Sequence, residues 1–493
     1  MSEFLYDKVV RIVAQSVTPD WLEPYKNKKN NSSIGSGFFI DNKGTILSCS
    51  HLVDDSKNVY IEIPFEGKKK YDADIIMICP RFDISILRIK NYKNKSHLKL
   101  IGNDAFYNIK SGTEVLAVGF PLGQDTLKLS QGIISGREKG LIQTTAPLNS
   151  GNSGGPLVMG DTVIGINISV DTSGVNIAFA VPIPYFYLIK DEKDVLVKRP
   201  ATSFKYFNSN KNYIDVNGIK CKEGVIINYV NKDSSFWKAG LREGNLLCSL
   251  HGYPIDNYGL INKRWFNEKM GIQDLLNTVK NNESIKLSYY KNGKIPKLVN
   301  TKITYSVHDY KINKKYPLYD NSLENYTIIG GMILTELSLN NIVDILNKLI
   351  KKKQYITEKY SYFIKWIQSE NKTQSRLLIS HLFPNSIVKK AEVFSIGDIL
   401  DTVNNKPVYT IDDYKKAMMS PIIHKGTKYI QFKTLDKNSL ILKLKELIQE
   451  DKKSSKIYQY PIMSYTYKSK KSKRKSKRKS KRRIQKRKRT KRI

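Results

Sequence analysis

Short apolar runs separated by turn residues make up the chain from Lys8 to about Pro184. β-Branched residues are frequent in these runs, and Gly, Pro, Asn or Asp ends most of them, as in "SGFFIDNKGTILSCS", "EVLAVGFPLG", "QGIISG", "TVIGINISV" and "NIAFAVPI". No amphipathic helical pattern lies between them. Many short strands without intervening helices are typical of an all-β barrel or sandwich, so we predict that fold for this part of the chain.

The segment "QTTAPLNSGNSGGPLVMG", from Gln143 to Gly160, surrounds Ser153 with three glycines. A turn can use one glycine to reach a positive φ, but three around one hydroxyl indicate that something approaches the backbone closely. A serine hydroxyl is nearly unreactive alone, and as a nucleophile it needs a base, usually histidine, that a carboxylate orients. The segment therefore directs attention to the histidines and acids nearby.

Two histidines lie in the first 190 residues, His51 and His97. His97 is in a polar stretch, whereas His51 follows the apolar strand "GTILSCS". Asp83 stands at the head of the half-buried strand "ISILRIK", where a carboxylate needs a partner because burying an unpaired charge is costly. The order His51, Asp83, Ser153 is that of the chymotrypsin-like double barrel. The N–H groups of Gly151 and Ser153 would then bind an oxyanion, each typically worth about 3 kcal/mol.

Each of these residues has a simpler interpretation when it is taken singly. A glycine-rich turn that contains a serine can be purely structural, a histidine after a strand is usually packed or solvated, and an aspartate that opens a strand is usually a cap. The three residues in this order, inside an all-β pattern, favour the catalytic interpretation.

Two later stretches resemble each other. "GNLLCSLHGYPIDN" begins at Gly244 and "GDILDTVNNKPVYT" begins at Gly397, and each lies between an apolar strand and a predicted helix. In the second helix, Thr410 and Asp413 have the spacing of a capping box. We predict an internal duplication of a small mixed domain, with a helical insert, "NNIVDILNKLIKKKQYITEKYSYFIKWIQ", in the second copy.

The segments "SGFFI", "GTILSCSHLVDD", "RFDISILRI", "VGFPLGQDTLKLSQGIISG" and "IQTTAPLNSGNSGGPLV" closely resemble the HtrA/Deg (DegP-like) serine proteases, most of all the plant-type branch. The resemblance covers roughly residues 8 to 460 and likens the two repeats to PDZ domains. It implies a triad of His51, Asp83 and Ser153 with oxyanion donors at Gly151 and Ser153. It also implies ATP-independent cleavage of unfolded or damaged proteins, and assembly from trimers.

The expected architecture is mainly β. We expect a chymotrypsin-like double β-barrel serine protease domain at residues 1–195 and PDZ-like α/β domains at residues 196–310 and 325–455. A disordered Lys/Arg-rich tail is expected at residues 464–493.

The S1 pocket, which would receive the substrate side chain before the cleaved bond, is predicted from apolar residues. A pocket for Lys or Arg would carry an acid about six positions before the nucleophile, where Pro147 stands. Leu148, Ile177 and Phe179 are also apolar, so we expect a preference for small or medium aliphatic side chains.

Peptide capture by the two PDZ-like repeats is predicted to differ. Capture of a peptide C-terminus needs backbone N–H groups that form a nest, and the relevant stretch of the first repeat, "ATSFKYF", has no glycine. In the second repeat, Gly330 and Gly331 in "IIGGMILTEL" could serve.

The four cysteines are scattered, so neither a disulfide framework nor a zinc site is indicated, and no metal or cofactor is expected. No signal-peptide layout and no run of about 18 apolar residues appear, so no membrane contact is expected. These features favour an intracellular protein of the cytoplasm, nucleus or nucleolus.

The tail at residues 468–493 contains 18 Lys and Arg and no acid, within a chain whose net charge is +38. It lacks apolar residues to fold around, and its charges would bind phosphate backbones through counterion release. Nucleic acid is therefore an expected partner, although nuclear import fits equally, as does packaging into a virion if a virus encodes the chain. Two alternatives to a protease stay open: a catalytically silent chaperone or scaffold, and a nucleic-acid-associated protein.

Overall fold

The fold is given by a computed structural model. It describes residues 5–26, 29–67, 69–168, 177–197, 203–232, 234–266, 268–291, 295–303, 310–320, 325–351, 356–368 and 371–462. The protein is mainly β, as predicted, and the basic tail lies outside the described residues.

Six strands of the N-terminal part form a closed barrel in the order β1-β2-β3-β6-β5-β4. They are β1 (Val9–Thr18), β2 (Lys29–Phe39), β3 (Thr45–Ser48), β4 (Ser56–Glu62), β5 (Lys70–Cys79) and β6 (Ile84–Ile89). Phe38, Ile46 and Leu87 are fully buried in its interior. Burial of such apolar side chains, at about 25 cal/mol per Å², is the main force that holds the barrel closed.

A second barrel follows, and its strands run in the order β11-β8-β9-β10-β13-β12, closed by pairing of β11 with β12. Its elements are β7 (Lys99–Leu100), α1 (Asn103–Tyr107), β8 (Glu114–Gly119), β9 (Lys128–Glu138), β10 (Leu141–Thr144), β11 (Pro156–Met159), β12 (Thr162–Ile168), β13 (Ala178–Pro182) and α2 (Ile183–Ile189). β7 joins the edge of β12 in parallel. The two barrels confirm the predicted chymotrypsin-like double barrel.

The next sheet, with its helices, is termed unit 1, and its strand order is β14-β15-β16-β20-β21. Unit 1 contains β14 (Phe204–Asn208), α3 (Lys211–Val216), β15 (Val225–Val230), α4 (Ser235–Lys238), β16 (Leu246–Leu250), β17 (Tyr253–Pro254), β18 (Leu260–Trp265), β19 (Glu268–Gly271), α5 (Ile272–Asn277), β20 (Ser284–Lys291) and β21 (Ile295–Lys302). β18 and β19 form a separate hairpin.

A short helix, α6 (Pro317–Asp320), leads to the last sheet, termed unit 2, whose order is β22-β23-β24-β25-β28-β27. Unit 2 contains β22 (Tyr326–Ile329), β23 (Met332–Glu336), α7 (Leu339–Lys351), α8 (Ile356–Ile367), β24 (Leu377–Leu382), α9 (Ile387–Lys390), β25 (Ile399–Val403), β26 (Lys406–Pro407), α10 (Ile411–Met418), β27 (Ile422–His424), β28 (Thr427–Thr434), β29 (Ser439–Lys443) and α11 (Leu444–Tyr458). α7 and α8 lie in the segment for which helical periodicity was predicted, and Thr410 and Asp413 form the predicted capping box at α10. The assignment of the two units as PDZ-like stays a prediction.

Arg137 of β9 connects the second barrel to unit 1. Its guanidinium forms an ion pair with Asp274 of α5, and both side chains are nearly buried. The same guanidinium lies 5.4 Å from the ring centre of Trp265. Because both side chains are largely removed from water, loss of either one would leave an uncompensated charge, so breaking this pair should destabilise the protein more than breaking a surface ion pair.

The connection between β1 and β2 packs against unit 2. Leu22 is buried in a cluster that includes Ile342 of α7 and Phe363 of α8. The Asn341 side chain donates a hydrogen bond to the carbonyl of Trp21 at 2.6 Å. Unit 2 is therefore held directly against the first barrel, even though the two are far apart in sequence.

The cysteine prediction was wrong in one respect, since Cys221 and Cys248 form a disulfide. Cys248 lies in β16, and Cys221 lies in the turn that leads to β15, the neighbour of β16 in the sheet. This pairing brings their Cα atoms to 6.2 Å across 27 positions of sequence, a proximity that spacing alone cannot reveal. Cys49 and Cys79 are buried and do not form a disulfide.

No helix among the described residues is both long enough and apolar enough to cross a membrane.

Candidate active site

His51 and Asp83 meet at the rim of the first barrel. His51 follows β3 and Asp83 precedes β6, and these strands pair at Ser48 and Ser85, so the two loops lie at the same end. The backbone N–H of His51 donates to Asp83 Oδ1 at 2.8 Å, and Nδ1 of the ring lies 2.7 Å from Asp83 Oδ2. One carboxylate therefore fixes both the backbone and the ring of His51.

This contact determines the protonation of the histidine. An ionised carboxylate can only accept, so the proton of neutral His51 is assigned to Nδ1, and Nε2 is left as the basic atom. The hydrogen bond to Asp83, followed by that to Cys49, raises the pKa of His51 above its ordinary value. The site thus favours the imidazolium that forms when Nε2 takes a proton.

Ser153 lies in the turn between β10 and β11 and is nearly buried. Ser36 of β2 ties this turn to the first barrel: its N–H donates to the carbonyl of Ser153 at 2.8 Å, and its hydroxyl donates to the carbonyl of Gly151 at 2.7 Å. The same hydroxyl accepts the N–H of Phe120 at 3.0 Å. Ser36 therefore places the Ser153 turn where the two barrels meet.

The glycines of this turn allow very close packing. Gly151 and Gly154 have φ of +97° and +88°. A Cβ at Gly151 would lie 2.3 Å from the carbonyl oxygen of Phe120, and one at Gly154 would lie 2.1 Å from Ser48 Oγ. The predicted close approach is confirmed, and it is the protein's own chain that approaches. Since Ser48 immediately precedes the loop that carries His51, this packing also brings the Ser153 turn to that loop.

The hydrogen bonds of this turn bear on one of the two predicted oxyanion donors, the N–H of Gly151. Among the described residues, the Gly151 N–H has no hydrogen-bond acceptor, so it is available to bind an oxyanion. The assignment of the Ser153 N–H to the same role stays a prediction.

The predicted S1 residues gather around paired strand ends. β10 pairs with β13 through Gln143 and Phe179, so Ile177 lies just before β13 and beside the end of β10. Phe179 is buried, Pro147 is exposed and Leu148 packs partly on the core. Residues 169–176, which connect β12 to this region, lie outside the described residues, so the specificity of the pocket stays a prediction.

Cys49 is a neighbour of the site that the sequence analysis missed. Its thiol is buried, and Sγ lies 3.7 Å from His51 Nε2, while desolvation raises the pKa of the thiol. Cys49, His51 and Asp83 each offer one metal-ligating atom within 4.8 Å of the others. Both oxygens of Asp83 already accept from His51, so a metal bound there would have to break the contact that orients the ring.

A lysine from the segment before unit 2 reaches the histidine loop. Lys314 Nζ lies 3.1 Å from Asp54 Oδ2, and Asp54 is nearly buried three positions after His51. Burial raises the pKa of Asp54 to about 6, although Lys314 opposes that shift. The N–H of Asp54 also closes the turn on the Ser50 carbonyl at 2.8 Å. The sequence gives no signal for this contact, because Lys314 lies 260 positions away.

Ser36→Ala should disturb the site without touching the triad. The change leaves the Phe120 N–H and the Gly151 carbonyl unpaired and buried, which should lower the free energy of unfolding by about 1–3 kcal/mol, measured from urea transitions. Ser33→Ala on the same strand is the control, because its hydroxyl makes only a 3.5 Å contact. Equal unfolding midpoints for the two variants would contradict this role of Ser36.

The peptide-binding predictions for the two units have different outcomes. In unit 1, Ala201 and Thr202 of "ATSFKYF" lie outside the described residues, and β14 covers the rest from Phe204. In unit 2, Gly330 and Gly331 form the turn between β22 and β23, and both have positive φ. Their N–H groups contact a carboxylate of the protein itself, as described below.

Comparison with known proteins shows which part of the chain resembles known peptidases. Residues 35–166 match the family model of the trypsin-like peptidase domain. The periplasmic serine endoprotease DegP of Salmonella typhimurium is 30% identical over 248 residues, which are 46% of this chain and 50% of that protein. A probable periplasmic serine endoprotease DegP-like of Pseudomonas putida is 29% identical over 281 residues, 54% of this chain and 55% of that protein.

Two solved structures were also found to be similar. The HtrA-type protease AlgW with a decapeptide is 19% identical with a TM-score of 0.47, covering 62% of this chain and 97% of that one. A serine endoprotease from Yersinia pestis is 21% identical with a TM-score of 0.42, covering 62% and 96%.

This chain spans about half the length of the curated relatives it matches, and its likeness to the plant-type branch stays a prediction. The match at residues 35–166 contains His51, Asp83 and Ser153. The part of the chain that carries these three residues is therefore a trypsin-like peptidase domain, and about half of the chain is similar in sequence to DegP serine endoproteases.

Proposed function

We propose that this protein is a serine endopeptidase in which His51 activates Ser153. The observation that carries the proposal is the double contact of Asp83 with the backbone and the ring of His51. That contact leaves Nε2 as the basic atom, and the Ser153 turn is tied to the barrel that holds the histidine. A nucleophile, a base and an orienting acid are the groups that acyl transfer requires.

The reaction proceeds in two halves. His51 Nε2 takes the hydroxyl proton of Ser153 as Oγ bonds to the scissile carbonyl carbon, and the carbonyl oxygen becomes an oxyanion that the N–H groups of Gly151 and Ser153 bind. The imidazolium then gives its proton to the leaving amine, and the acyl-enzyme remains. Water, deprotonated by His51, attacks the ester, and Ser153 regains its proton when the carboxylic acid leaves.

Asp83 has a positioning and electrostatic role in these steps. It stays ionised, keeps the proton of neutral His51 on Nδ1, and stabilises the positive ring that appears twice in the cycle. The raised pKa of His51 reflects the same stabilisation of the protonated ring by Asp83.

For substrates, we propose unfolded or damaged proteins, cleaved without ATP by a homo-oligomer built from trimers. The support is the resemblance to HtrA/Deg proteases and the match to DegP over half of its length. Nucleic acid is proposed as a further partner of residues 468–493, because 18 basic residues without an acid would release many counterions on binding.

The test is labelling with a fluorophosphonate probe that reacts with activated serines. The native chain should be labelled and should digest unfolded casein, and Ser153→Ala should do neither. Ser150→Ala, three positions earlier in the same loop, is the matched control and should be labelled like the native chain. Absence of labelling in the native chain, with or without added peptides, would instead support the silent chaperone or scaffold.

A further inference from the structure

The hairpin turn of unit 2 binds an internal carboxylate. Gly330 and Gly331 connect β22 to β23 with φ of +58° and +83°. The N–H of Gly330 donates to Asp451 Oδ1 at 2.6 Å, and the backbone of Gly331 lies close enough to this carboxylate to lower its pKa. Asp451 belongs to α11 and is only 3% exposed.

Successive N–H groups that converge in this way form an anion-binding nest. Such nests bind carboxylates, including the terminal carboxylate of a captured peptide. The backbone alone forms this nest, so the nest does not distinguish a side-chain carboxylate from the terminal carboxylate of a peptide. In this protein the occupant is a side chain of the same chain.

The remaining hydrogen-bonding groups around the turn are also occupied. The carbonyl of Gly331 accepts the N–H of Phe383 at 2.8 Å. β23 pairs with β22 on one side and with β24 on the other, so an added peptide strand finds no free edge on β23. The nest is therefore the part of the hairpin that a ligand could enter, and α11 covers it.

α11 covers the nest and also packs on the core of unit 2, to which it contributes Leu444 and Leu447. A Cβ at Gly330 would lie 2.4 Å from Cδ2 of Leu447, one turn before Asp451 in α11. Of the helix, only Leu444, Leu447, Asp451 and Ser454 are buried, and the other positions are at least partly exposed. Since α11 follows the last strand of the sheet, its release breaks no strand pair, but it removes Leu447 from the core and the Tyr458 ring from its stack on Phe383.

The buried carboxylate is held at a cost. Burial raises the pKa of Asp451 to about 7, Glu450 adds to that rise, and the two glycine N–H groups oppose it. A purely structural contact for this turn could use a neutral acceptor, which burial would penalise less.

We propose that α11 is a built-in ligand of unit 2. Asp451 occupies a carboxylate site that accepts the C-terminus of a protein chain only after α11 leaves the hairpin. This inference concerns binding by unit 2 and does not depend on the proposed peptidase activity.

The experiment compares full chains in a Ser153→Ala background, so that bound peptides cannot be cleaved. One chain is otherwise native, one carries Asp451→Ala with Leu447→Ala, and one carries Glu450→Ala as the matched control. Glu450 is the neighbouring acid of the same helix, and its side chain contacts Ser454. Hydrogen exchange of residues 326–336 reports whether α11 still covers the hairpin, and exchange of β28 reports whether unit 2 is still folded.

The ligand probe is a library of random heptapeptides with free C-termini, selected against each chain. The double variant should show faster exchange at the hairpin and should enrich peptides that bind at least tenfold more tightly than to the native chain or to Glu450→Ala. The C-terminal amides of the enriched peptides should not bind. Binding to unit 1 would appear equally in all three chains and is subtracted by the comparison.

Three results would overturn the inference. Equal carboxylate-dependent binding to all three chains would show that the nest is already open. A hairpin that stays protected in the double variant would show that these contacts do not hold α11. A released hairpin that enriches no carboxylate-dependent peptide would reduce Asp451 to a structural cap of the turn.

Discussion

Replacement of His51 by alanine should lower the turnover of a protein substrate about a millionfold, as expected when the base of a triad is lost. His51 is the histidine that Asp83 orients, through contacts of 2.8 and 2.7 Å, and its Nε2 is the basic atom. Without it the Ser153 hydroxyl keeps its proton, and the oxyanion donors alone leave only a small residual rate. Digestion of fluorescein-labelled casein, followed as an initial rate, measures the loss.

His97→Ala is the matched control for this change. His97 is exposed on the same barrel, and its Nδ1 contacts Asn42 at 2.8 Å rather than a carboxylate. Its replacement should leave the rate within about twofold of native. A His51→Ala chain that kept a tenth of the native rate would show that another group serves as the base.

The sequence predicted the parts of the site that depend on local pattern. His51 and Asp83 could be found because each stands at the end of an apolar strand, and strands of a barrel present their ends at a common rim. The Gly-rich segment around Ser153 could be found because only close packing or positive φ requires so many glycines, and Gly151 and Gly154 have both.

The parts that the sequence did not predict depend on distant contacts. Ser36 holds Gly151 across 115 positions, and Lys314 reaches Asp54 across 260. Polar side chains of this kind resemble any surface serine or lysine until the fold gives them a buried partner. The disulfide between Cys221 and Cys248 was not predicted for the same reason, since it depends on how β15 and β16 align.

The glycine pair of unit 2 shows a different limit. The sequence identified Gly330 and Gly331 as candidate peptide-binding residues, because glycines can expose N–H groups. The occupant, Asp451, lies 121 positions away in a mostly polar helix whose sequence gives no reason to place an acid in the interior. A nest can thus be predicted locally, but whether it is empty depends on the tertiary fold.

Replacement of Asp83 by asparagine should lower turnover about ten-thousandfold with little change in the fold. The backbone N–H of His51 needs an acceptor at the position of Oδ1, so the amide oxygen of the asparagine should face it. The amide NH2 then faces Nδ1 and donates to it, which moves the ring proton to Nε2. A histidine protonated at Nε2 cannot take the Ser153 proton, so the loss should appear mainly in kcat.

The same variant should change the pH dependence, because Asp83 is the first cause of the raised pKa of His51. Activity needs the neutral ring, so the acid limb of the pH–rate profile should move to lower pH in Asp83→Asn, towards about 6.5. A histidine whose pKa is higher in the folded state than in the unfolded state stabilises the fold. This stabilisation is complete at pH values below the unfolded-state pKa and is lost as the pH rises through the folded-state pKa. The stability difference between native and Asp83→Asn should therefore shrink as pH rises. Asp74→Asn, an exposed acid on the adjacent β5, should leave both profiles native, and an unmoved acid limb in Asp83→Asn would contradict the assigned pairing.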